Sequence, residues 1–588
     1  MLTDPQSLGA RALVIDGNPS LRRATVAQLR ELGIQQVRQC KGLADARMSL
    51  EQTDFDFVLC ADFIDGSELS GQALLEELRR EAVLPHGTVF VMLASEATYS
   101  QVVEAAEAAL DCFVLRPYKL SALAERLGVA RRRKKELGAI FEALERNQHD
   151  RAVAACLQRH EANQPYGLHC ARMAAEILLK TGQIDAAMAL FQKLAQERDR
   201  SWAQLGVARA HFAAGDTVNA RRQVEALVRS QPHMAEAYDV LGRVQVDQGE
   251  LPQALRSFHT VTEITPGCNL RLQHCGTLAY YLGDRELALE MLERAVAIGT
   301  QSRLFDALTL MLLGFLRHDM GDARRLLTVH TQLQQFLASY PASRRLQRFD
   351  RAAGALRALL ARQLDEAQLI VQALADEAAS EDFDLEAANL VLALWTRLPE
   401  RDVAAGQQDK MVRGIGMRFC VSKVITEIMV ASALHHEAIT QMLRLCQVEI
   451  TGVAEDAMRL AMQGAQRRAV ETLLAKGETT RNARLIEMAG LLLRRHREHI
   501  TDSAVLQAMA ASLQQRYCRP LTHIAGIRRS GRSPGGLLLR GQRLGPAVDS
   551  GPTLLGHALP DGLPAAQAPS APAPAPAPAP TPVAAVDR

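Results

Sequence analysis

Three charged residues near the N-terminus have the side chains needed for phosphoryl chemistry. Asp16 closes the apolar run ALVID, Asp62 follows the run FVLC after one alanine, and Arg116 directly follows the run CFVL. A carboxylate binds hard cations such as Mg²⁺ or attacks phosphorus, and a guanidinium neutralises the charge of a transferred phosphoryl group. The three residues lie far apart in the sequence, so they act together only if the fold brings the ends of their runs to one place.

Alternating strands and helices are the elements predicted to position these residues. Amphipathic segments, among them 100–110, separate five apolar runs at 12–16, 37–40, 57–60, 88–93 and 112–115. This alternation predicts a parallel five-stranded sheet with helices on both faces, in which sites lie at the carboxyl ends of the strands. Asn18 and Pro19 are predicted to be the N-cap and first residue of the first helix. The residues at the strand ends are Asp16, Gly17, Ala61, Asp62, Ala94, Ser95 and Arg116.

Residues 1–128 resemble the receiver domain of bacterial two-component response regulators. The resemblance is carried by the opening LVID, by SGQALLEELR after the third run, and by the ending FVLRP. It implies a flavodoxin-like α/β fold with strand order 2-1-3-4-5. It also implies a pocket in which an acidic pair follows strand one, a phosphoacceptor aspartate follows strand three, a threonine or serine follows strand four and a lysine follows strand five.

This sequence matches the family pocket at only one position. Asp16 stands at the first acidic position, but the second acid is replaced by Gly17 and the phosphoacceptor by Ala61. Ala94 occupies the hydroxyl position and Arg116 the lysine position. An alanine is not a nucleophile and one carboxylate is a poor cage for Mg²⁺. The resemblance therefore implies a degenerate receiver with no cofactor.

Two hypotheses about this pocket stay open from the sequence. In the first, Asp62 is a phosphoacceptor brought into place by a one-residue bulge, in which case Mg²⁺ would be needed. In the second, Arg116 reaches across the strand ends to Asp16 and a fixed ion pair replaces the metal. The alternative to that ion pair is that both side chains face water at the rim of the pocket.

A helical repeat follows the sheet region. Residues recur at intervals of 33 or 34 at the turn position, Gly182, Gly215, Gly249 and Gly283. Five residues later stand Ala187, Ala220, Ala254 and Ala288, and four further on stand Phe191, Val224, Phe258 and Leu292. A glycine turn, a small residue at the helix crossing and a large apolar residue predict stacked helical hairpins. Weaker units flank them at 146–157, 318–327 and 361–371.

These repeats resemble tetratricopeptide repeats, most clearly at 237–266. The resemblance implies a superhelix whose groove binds protein partners rather than an active site. Arg209, Arg243 and Gln273 are the residues expected to face that groove. From about 375 to 515 the sequence still predicts helices, but without the period.

The predicted domains follow from these patterns. They are a receiver-like domain at 1–128, a basic helical linker at 129–145, tetratricopeptide-type repeats at 146–375 (clearest at 165–300), a further helical repeat-like region at 376–519, and a basic, Gly/Ala/Pro-rich disordered tail at 520–588. The basic run at 131–135 and the arginines of the tail are interpreted as solvated surface. A nucleic-acid contact through the tail remains an alternative.

Composition limits the class of protein. The chain has a formal net charge of +2, ten scattered cysteines and no apolar run long enough to span a bilayer; a cytoplasmic protein without membrane insertion is therefore expected. No motif for metal binding, phosphate cradling or nucleophilic catalysis supports an enzyme.

The expected function is an atypical response regulator, a phosphorelay-associated signalling adaptor that binds protein partners. A histidine kinase or another two-component protein is a candidate partner, and a homodimer is left open. The two alternatives are a phosphorylation-dependent switch at Asp62 and a nucleic-acid-associated regulator acting through the tail.

Overall fold

A computed structural model describes most of the chain. It describes residues 9–62, 70–81, 83–96, 98, 110–197, 200–302, 305–399, 405–433, 436–500, 503–518, 523–524 and 527–528. The segment 100–110, predicted to be helical, lies outside the described residues apart from Leu110.

The N-terminal sheet has the predicted strand order. All neighbouring strands are parallel in the order 2-1-3-4-5. The strands are β1 (Arg11–Ile15), β2 (Gln36–Cys40), β3 (Phe57–Ala61), β4 (Val89–Ala94) and β5 (Cys112–Leu115). The helices described here are α1 (Pro19–Glu31), α2 (Leu43–Gln52), α3 (Gly71–Arg80) and α4 (Leu120–Glu136). The fold-class prediction is confirmed.

Side-chain alternation on β3 divides the core into two layers. Phe57 and Leu59 pack with α1 and α4 on one face of the sheet, and Val58 and Cys60 pack with α2 and α3 on the other. Successive side chains of a strand point to opposite faces, so the strand supplies both cores at once. Asn18 caps α1 as predicted, because its side-chain oxygen accepts from the amides of Ser20 and Leu21.

A stack of helical hairpins, which we call the array, follows α4. Its helices are α5 (Gly138–Glu145), α6 (His149–Glu161), α7 (Gly167–Lys180), α8 (Ile184–Glu197), α9 (Ser201–Ala213), α10 (Thr217–Ser230), α11 (Ala235–Gln248), α12 (Leu251–Ile264), α13 (Asn269–Tyr281), α14 (Arg285–Gly299), α15 (Leu308–Asp319), α16 (Ala323–Ser339), α17 (Arg344–Leu360) and α18 (Leu364–Asp376). The turn in each pair holds one residue with positive φ, and these are Asn147, Gly182, Gly215, Gly249, Gly283, Gly321 and Arg362. We name each hairpin by that residue. The weaker units of the sequence are thus full hairpins, two of them with Asn or Arg in place of glycine.

The helix crossings obey the predicted spacing. In the Gly249 hairpin, Ala254 and Phe258 are fully buried, and a Cβ on Gly242 of α11 would come within 2.7 Å of the Phe258 ring. Small residues are therefore required where the two helices cross.

The C-terminal helices contain an eighth unit that the sequence analysis missed. These helices are α19 (Leu385–Trp395), α20 (Ala405–Phe419), α21 (Lys423–Ser432), α22 (Glu437–Met462), α23 (Gln466–Thr480), α24 (Ala483–Arg495) and α25 (Ser503–Tyr517). Between α22 and α23, Gly464 has positive φ, and Ala469 and Leu473 follow at the same offsets and are fully buried. The hairpin agrees with the repeat-like character predicted for 376–519, although the regular period ends before it.

Helix α21 folds back onto the middle of the array. Ile428 is buried in the cluster formed by α11 to α14, and Val424 lies against Gly249. Ile425 and Met429, on the neighbouring side of α21, belong to the cluster that contains α15, α17 and α19. This helix therefore ties the C-terminal region to the array through two apolar faces.

The predicted disordered tail is almost entirely outside the described residues. Only β6 (His523–Ile524) and β7 (Ile527–Arg528) are described there, and they pair as short antiparallel strands.

Replacing Gly242 with alanine should destabilise the array. The new methyl group has to displace the fully buried Phe258 ring, at an expected loss of about 1–3 kcal/mol of unfolding free energy. Gly414 in α20 is the control, because a Cβ there meets nothing within 4 Å and alanine favours a helix. Urea unfolding followed by the fluorescence of Trp202 and Trp395 measures both. Equal midpoints for Gly242→Ala and Gly414→Ala would contradict the packing described.

Candidate functional site at the carboxyl edge of the sheet

Asp16 lies at the end of β1 and both its side-chain oxygens are bonded. One oxygen accepts from the Asn18 amide at 2.9 Å, and the other accepts from Arg116 Nη2 at 2.7 Å. The side chains of Asp16 and Arg116 are only 4% and 14% exposed. The ion pair expected as one of two alternatives is therefore present, and the carboxylate is not left at a wet rim.

Arg22 is a further residue of the site that the sequence analysis did not identify. Its Nη1 donates to the Asp16 carbonyl at 2.5 Å and lies 3.4 Å from the Gly17 carbonyl. It lies in the first turn of α1, three residues after Pro19, and helical spacing from the Asn18 cap would have placed it beside the loop. Two arginines thus hold the loop that follows β1.

Ala61 and Asp62 belong to opposite faces of the sheet. Ala61 is the last residue of β3 and continues the series Phe57, Leu59 that faces α1 and α4. Asp16 follows Ala12 and Val14 of β1, which face α1 and α4 as well. Asp62 follows Val58 and Cys60, which face α2 and α3. Asp62 donates its amide to the Leu93 carbonyl at 3.0 Å, so the β3–β4 ladder continues to this residue without a one-residue slip.

Burial controls the acid–base properties around Asp62. The residue is 7% exposed, and burial raises the pKa of its carboxyl group. Burial, then the nearby charges of Asp16 and Asp62, raise the pKa of the Cys60 thiol. Cys60 is therefore a neutral thiol between two carboxylates rather than a thiolate nucleophile.

Ala94 and Gly17 complete the predicted set without adding a functional group. Ala94 is buried at the end of β4, and its carbonyl accepts from the Arg116 amide at 2.8 Å. The structure thus brings Asp16, Gly17, Ala94 and Arg116 together at the edge of the sheet through backbone and ion-pair contacts.

The three residues expected in the array groove differ in their contacts and burial. Arg209 donates to Glu176 at 2.8 Å and links α9 to α7. Arg243 is partly buried on α11. Gln273 is 6% exposed and accepts from the Asp306 amide and the Thr309 hydroxyl, so it stabilises the loop before α15 and does not face a partner.

The basic linker helix is also packed rather than solvated. Arg133 and Lys134 lie in α4, which runs across the predicted boundary at 128, and both are bound to the buried Asp111. The interpretation of 131–135 as a solvated face is therefore wrong for these two residues.

Two further kinds of site are absent from the described residues. No group of three or more His, Cys, Asp or Glu side chains in these ranges is arranged to hold a metal ion. No helix in the described part of the chain is long and apolar enough to cross a membrane.

Asp16→Ala should destabilise the receiver region. It leaves the mostly buried Arg116 without its carboxylate, and removing one partner of a buried pair costs about 3 kcal/mol or more. Thermal unfolding followed by circular dichroism should show a lowered Tm. Asp54→Ala, at an exposed position, is the control and should leave the Tm unchanged; an unchanged Tm in both variants would refute the role given to the ion pair.

Asp62→Asn should stabilise the protein at neutral pH. Because the folded-state pKa of Asp62 is raised above its unfolded value, its contribution is most favourable at low pH and is lost as pH rises through the folded pKa. Asparagine does not ionise, so the advantage of the variant should vanish as pH falls towards about 4. Urea unfolding at several pH values measures this. A variant less stable than wild type at neutral pH would show that burial does not dominate the energetics of the Asp62 carboxyl group.

Comparison with known protein families agrees with this geometry. The model of the response regulator receiver domain matches residues 12–128, and that of the tetratricopeptide repeat matches residues 178–244. These two matches correspond to the parallel sheet and to the part of the array that runs from the end of α7 through most of α11.

Curated relatives match the sheet region. The chemotaxis protein CheY-3 of Vibrio cholerae is 30% identical over 117 residues, which is 20% of this chain and 88% of that protein. The chemotaxis protein CheY of Pseudomonas aeruginosa is 28% identical over 117 residues, covering 92% of its length.

Solved structures of helical repeats match the array weakly. A tetratricopeptide repeat protein from Parabacteroides merdae has 16% identity and a TM-score of 0.28, covering 53% of this chain and 99% of its own. The APC/C hetero-tetramer Cut9–Hcn1 has 16% identity and a TM-score of 0.29, covering 64% of this chain and 69% of its own. The architecture of the array rests on its own hairpins and on the tetratricopeptide match. The chain belongs to the response regulator family, with a CheY-like receiver domain at residues 12–128 joined to tetratricopeptide repeats.

Proposed function

We propose that this response regulator is an atypical, phosphorelay-associated signalling adaptor whose receiver is not phosphorylated. The observation that carries the proposal is the ion pair of Asp16 with Arg116 beside Ala61. The family resemblance assigns the phosphoacceptor to the position of Ala61, and Ala61 has no nucleophilic group.

The same ion pair argues against a Mg²⁺ cofactor. Mg²⁺ needs several oxygen ligands in near-octahedral geometry. In this pocket the second family acid is Gly17, and the oxygens of Asp16 are already bonded to Arg116 and the Asn18 amide. We therefore expect the receiver to be fixed in one state by charges of the chain itself, without cofactor or catalytic activity.

The array is the proposed partner-binding part. Tetratricopeptide repeats form extended concave surfaces that bind proteins. Helix α21 already covers part of α11 to α14, so a protein partner is expected at the hairpins before α11. Arg209 lies there, on α9, whereas Arg243 lies on α11 itself. A cytoplasmic location and a two-component protein such as a histidine kinase as partner fit this proposal, and a homodimer is compatible with it.

A phosphorylation-dependent switch at Asp62 is the second candidate. The observation in its favour is that Asp62 is a buried carboxyl group close enough to share the environment of Cys60 with Asp16. Against it, Asp62 continues the opposite face of β3 and lies on an intact ladder. A nucleic-acid role would depend on the tail beyond 520, which lies almost wholly outside the described residues.

Intact mass spectrometry separates the two candidates. Purified protein is incubated with acetyl phosphate and Mg²⁺, beside Asp62→Asn and Ala61→Asp. We expect no phosphate-sized gain in wild type, and none in Ala61→Asp, because one added carboxylate does not restore the lysine, the hydroxyl and the second acid.

A gain in wild type that Asp62→Asn abolishes would replace the adaptor proposal with the switch. A gain in Ala61→Asp alone would show that the missing nucleophile is the only defect of the pocket.

A further inference from the structure

The receiver and the array touch near the beginning of the array. Lys134 Nζ donates to the His86 carbonyl at 2.7 Å and lies 5.1 Å from the centre of the Phe141 ring in α5. The His86 amide donates to Glu145 Oε1 at 3.0 Å. This first contact joins the loop before β4 to the Asn147 hairpin.

A second contact lies after the Gly283 hairpin. Glu77 of α3 is fully buried and receives two hydrogen bonds from Arg47 of α2, at 2.5 and 2.7 Å. The same Arg47 donates to the Gln301 carbonyl at 2.8 Å, and the Ser302 hydroxyl donates to Glu77 at 3.3 Å. A buried carboxylate of the receiver is thus satisfied in part by the loop between α14 and α15.

The two contacts make the receiver a brace across part of the array. They lie at the Asn147 hairpin and after the Gly283 hairpin, with the Gly182, Gly215, Gly249 and Gly283 hairpins between them. In a stack whose units contact only their neighbours, curvature is the sum of small rotations between units. A body that holds two distant units therefore fixes the curvature of the units between them.

The beginning of α3 is held tightly against the candidate site. The Gly71 amide donates to the Asp62 carbonyl at 2.8 Å, and Ser70 caps the helix through the Ala73 amide. A Cβ on Gly71 would lie 2.6 Å from the Ala61 carbonyl oxygen, which is closer than real contacts allow. No room is left for α3 to move independently of the end of β3.

We propose that α3 is the mechanical link between the receiver pocket and the array. Its first residue, Gly71, is hydrogen-bonded to the end of β3. Its second turn is bound, through Glu77 and Arg47, to the loop at Gln301 and Ser302. Because α3 is held at both ends, the fixed position of the Ala61–Asp62 end is passed on to the loop at Gln301 and Ser302, and this loop sets the curvature of the hairpins in between. The link extends the proposed adaptor function by giving its two halves a physical connection. Its test uses no partner and no phosphate, so it succeeds or fails independently of that function.

Amide hydrogen exchange of the full chain, read by mass spectrometry, tests the link from the pocket side. Gly71→Ala pushes α3 away from the Ala61 carbonyl, and we expect exchange at residues 296–302 to rise by about fivefold or more. Gly87→Ala is the control in the same domain, because a Cβ there meets nothing within 4 Å. Wild-type exchange at 296–302 in a folded Gly71→Ala protein would overturn the proposal.

A second variant, Ser302→Asp, tests the link from the array side. It still tests the proposal if the Gly71→Ala protein does not fold. Ser302→Asp sets a second carboxylate against the buried Glu77, and coupling between two sites acts in both directions. We expect faster exchange in α3 and at residues 57–62, with the exposed Thr328→Asp as the control of equal charge. Faster exchange confined to the loop around Ser302, with α3 unchanged, would refute transmission through α3.

Discussion

The ion pair of Asp16 with Arg116 closes the carboxyl edge of the sheet with charges that the chain supplies itself. Parallel strands bring these ends together, and a carboxylate buried there needs a positive partner. Here the guanidinium of Arg116 is that partner, and Arg22 donates to the carbonyl of Asp16 in the same loop. Both side-chain oxygens of Asp16 are thereby bonded, and the loop between β1 and α1 is held in place.

Helices α3 and α4 connect this sheet to the array. Helix α3 is bonded at its first residue to the end of β3, and Glu77 in its second turn binds the array at Ser302. Helix α4 leads from the sheet to the first hairpin, and its Lys134 packs against Phe141 of α5. Each unit of the array is stabilised mainly by its neighbours in the stack. Such cross-links therefore affect the curvature of the array more than its stability. Helix α21 adds a third cross-link, made of apolar contacts, between the middle of the array and the C-terminal helices.

Much of the fold followed from local signals in the sequence. Strand alternation, the Asn18–Pro19 start and the glycine turns with alanine five residues later are local constraints, and each is confirmed. The Asn147 and Arg362 turns were weaker signals because they lack the glycine that marks the other turns, although asparagine adopts positive φ more readily than other non-glycine residues. The Gly464 hairpin was missed because it stands alone, about a hundred residues after the previous turn, so no period announces it.

The parts that failed depend on contacts between distant residues. Gln273 has the helical position of a groove residue, yet the loop at Asp306 covers it, and Arg133 and Lys134 look like a solvated basic run until Asp111 is placed beside them. The meeting of Glu77 with Ser302 joins residues 225 positions apart, and no periodicity encodes it. The ion pair itself was foreseeable because the strand alternation had already placed both residues at the same edge of the sheet.

A double-mutant cycle on Asp16 and Arg116 tests the central claim most directly. Unfolding free energies of wild type, Asp16→Ala, Arg116→Ala and the double variant give the coupling between the two side chains without the losses that each substitution causes alone. The account predicts a favourable coupling of about 1–3 kcal/mol, because the pair is mostly buried and hydrogen-bonded. A coupling near zero would mean that the two charges do not stabilise each other, and the receiver would then have no internal substitute for a metal and a phosphate.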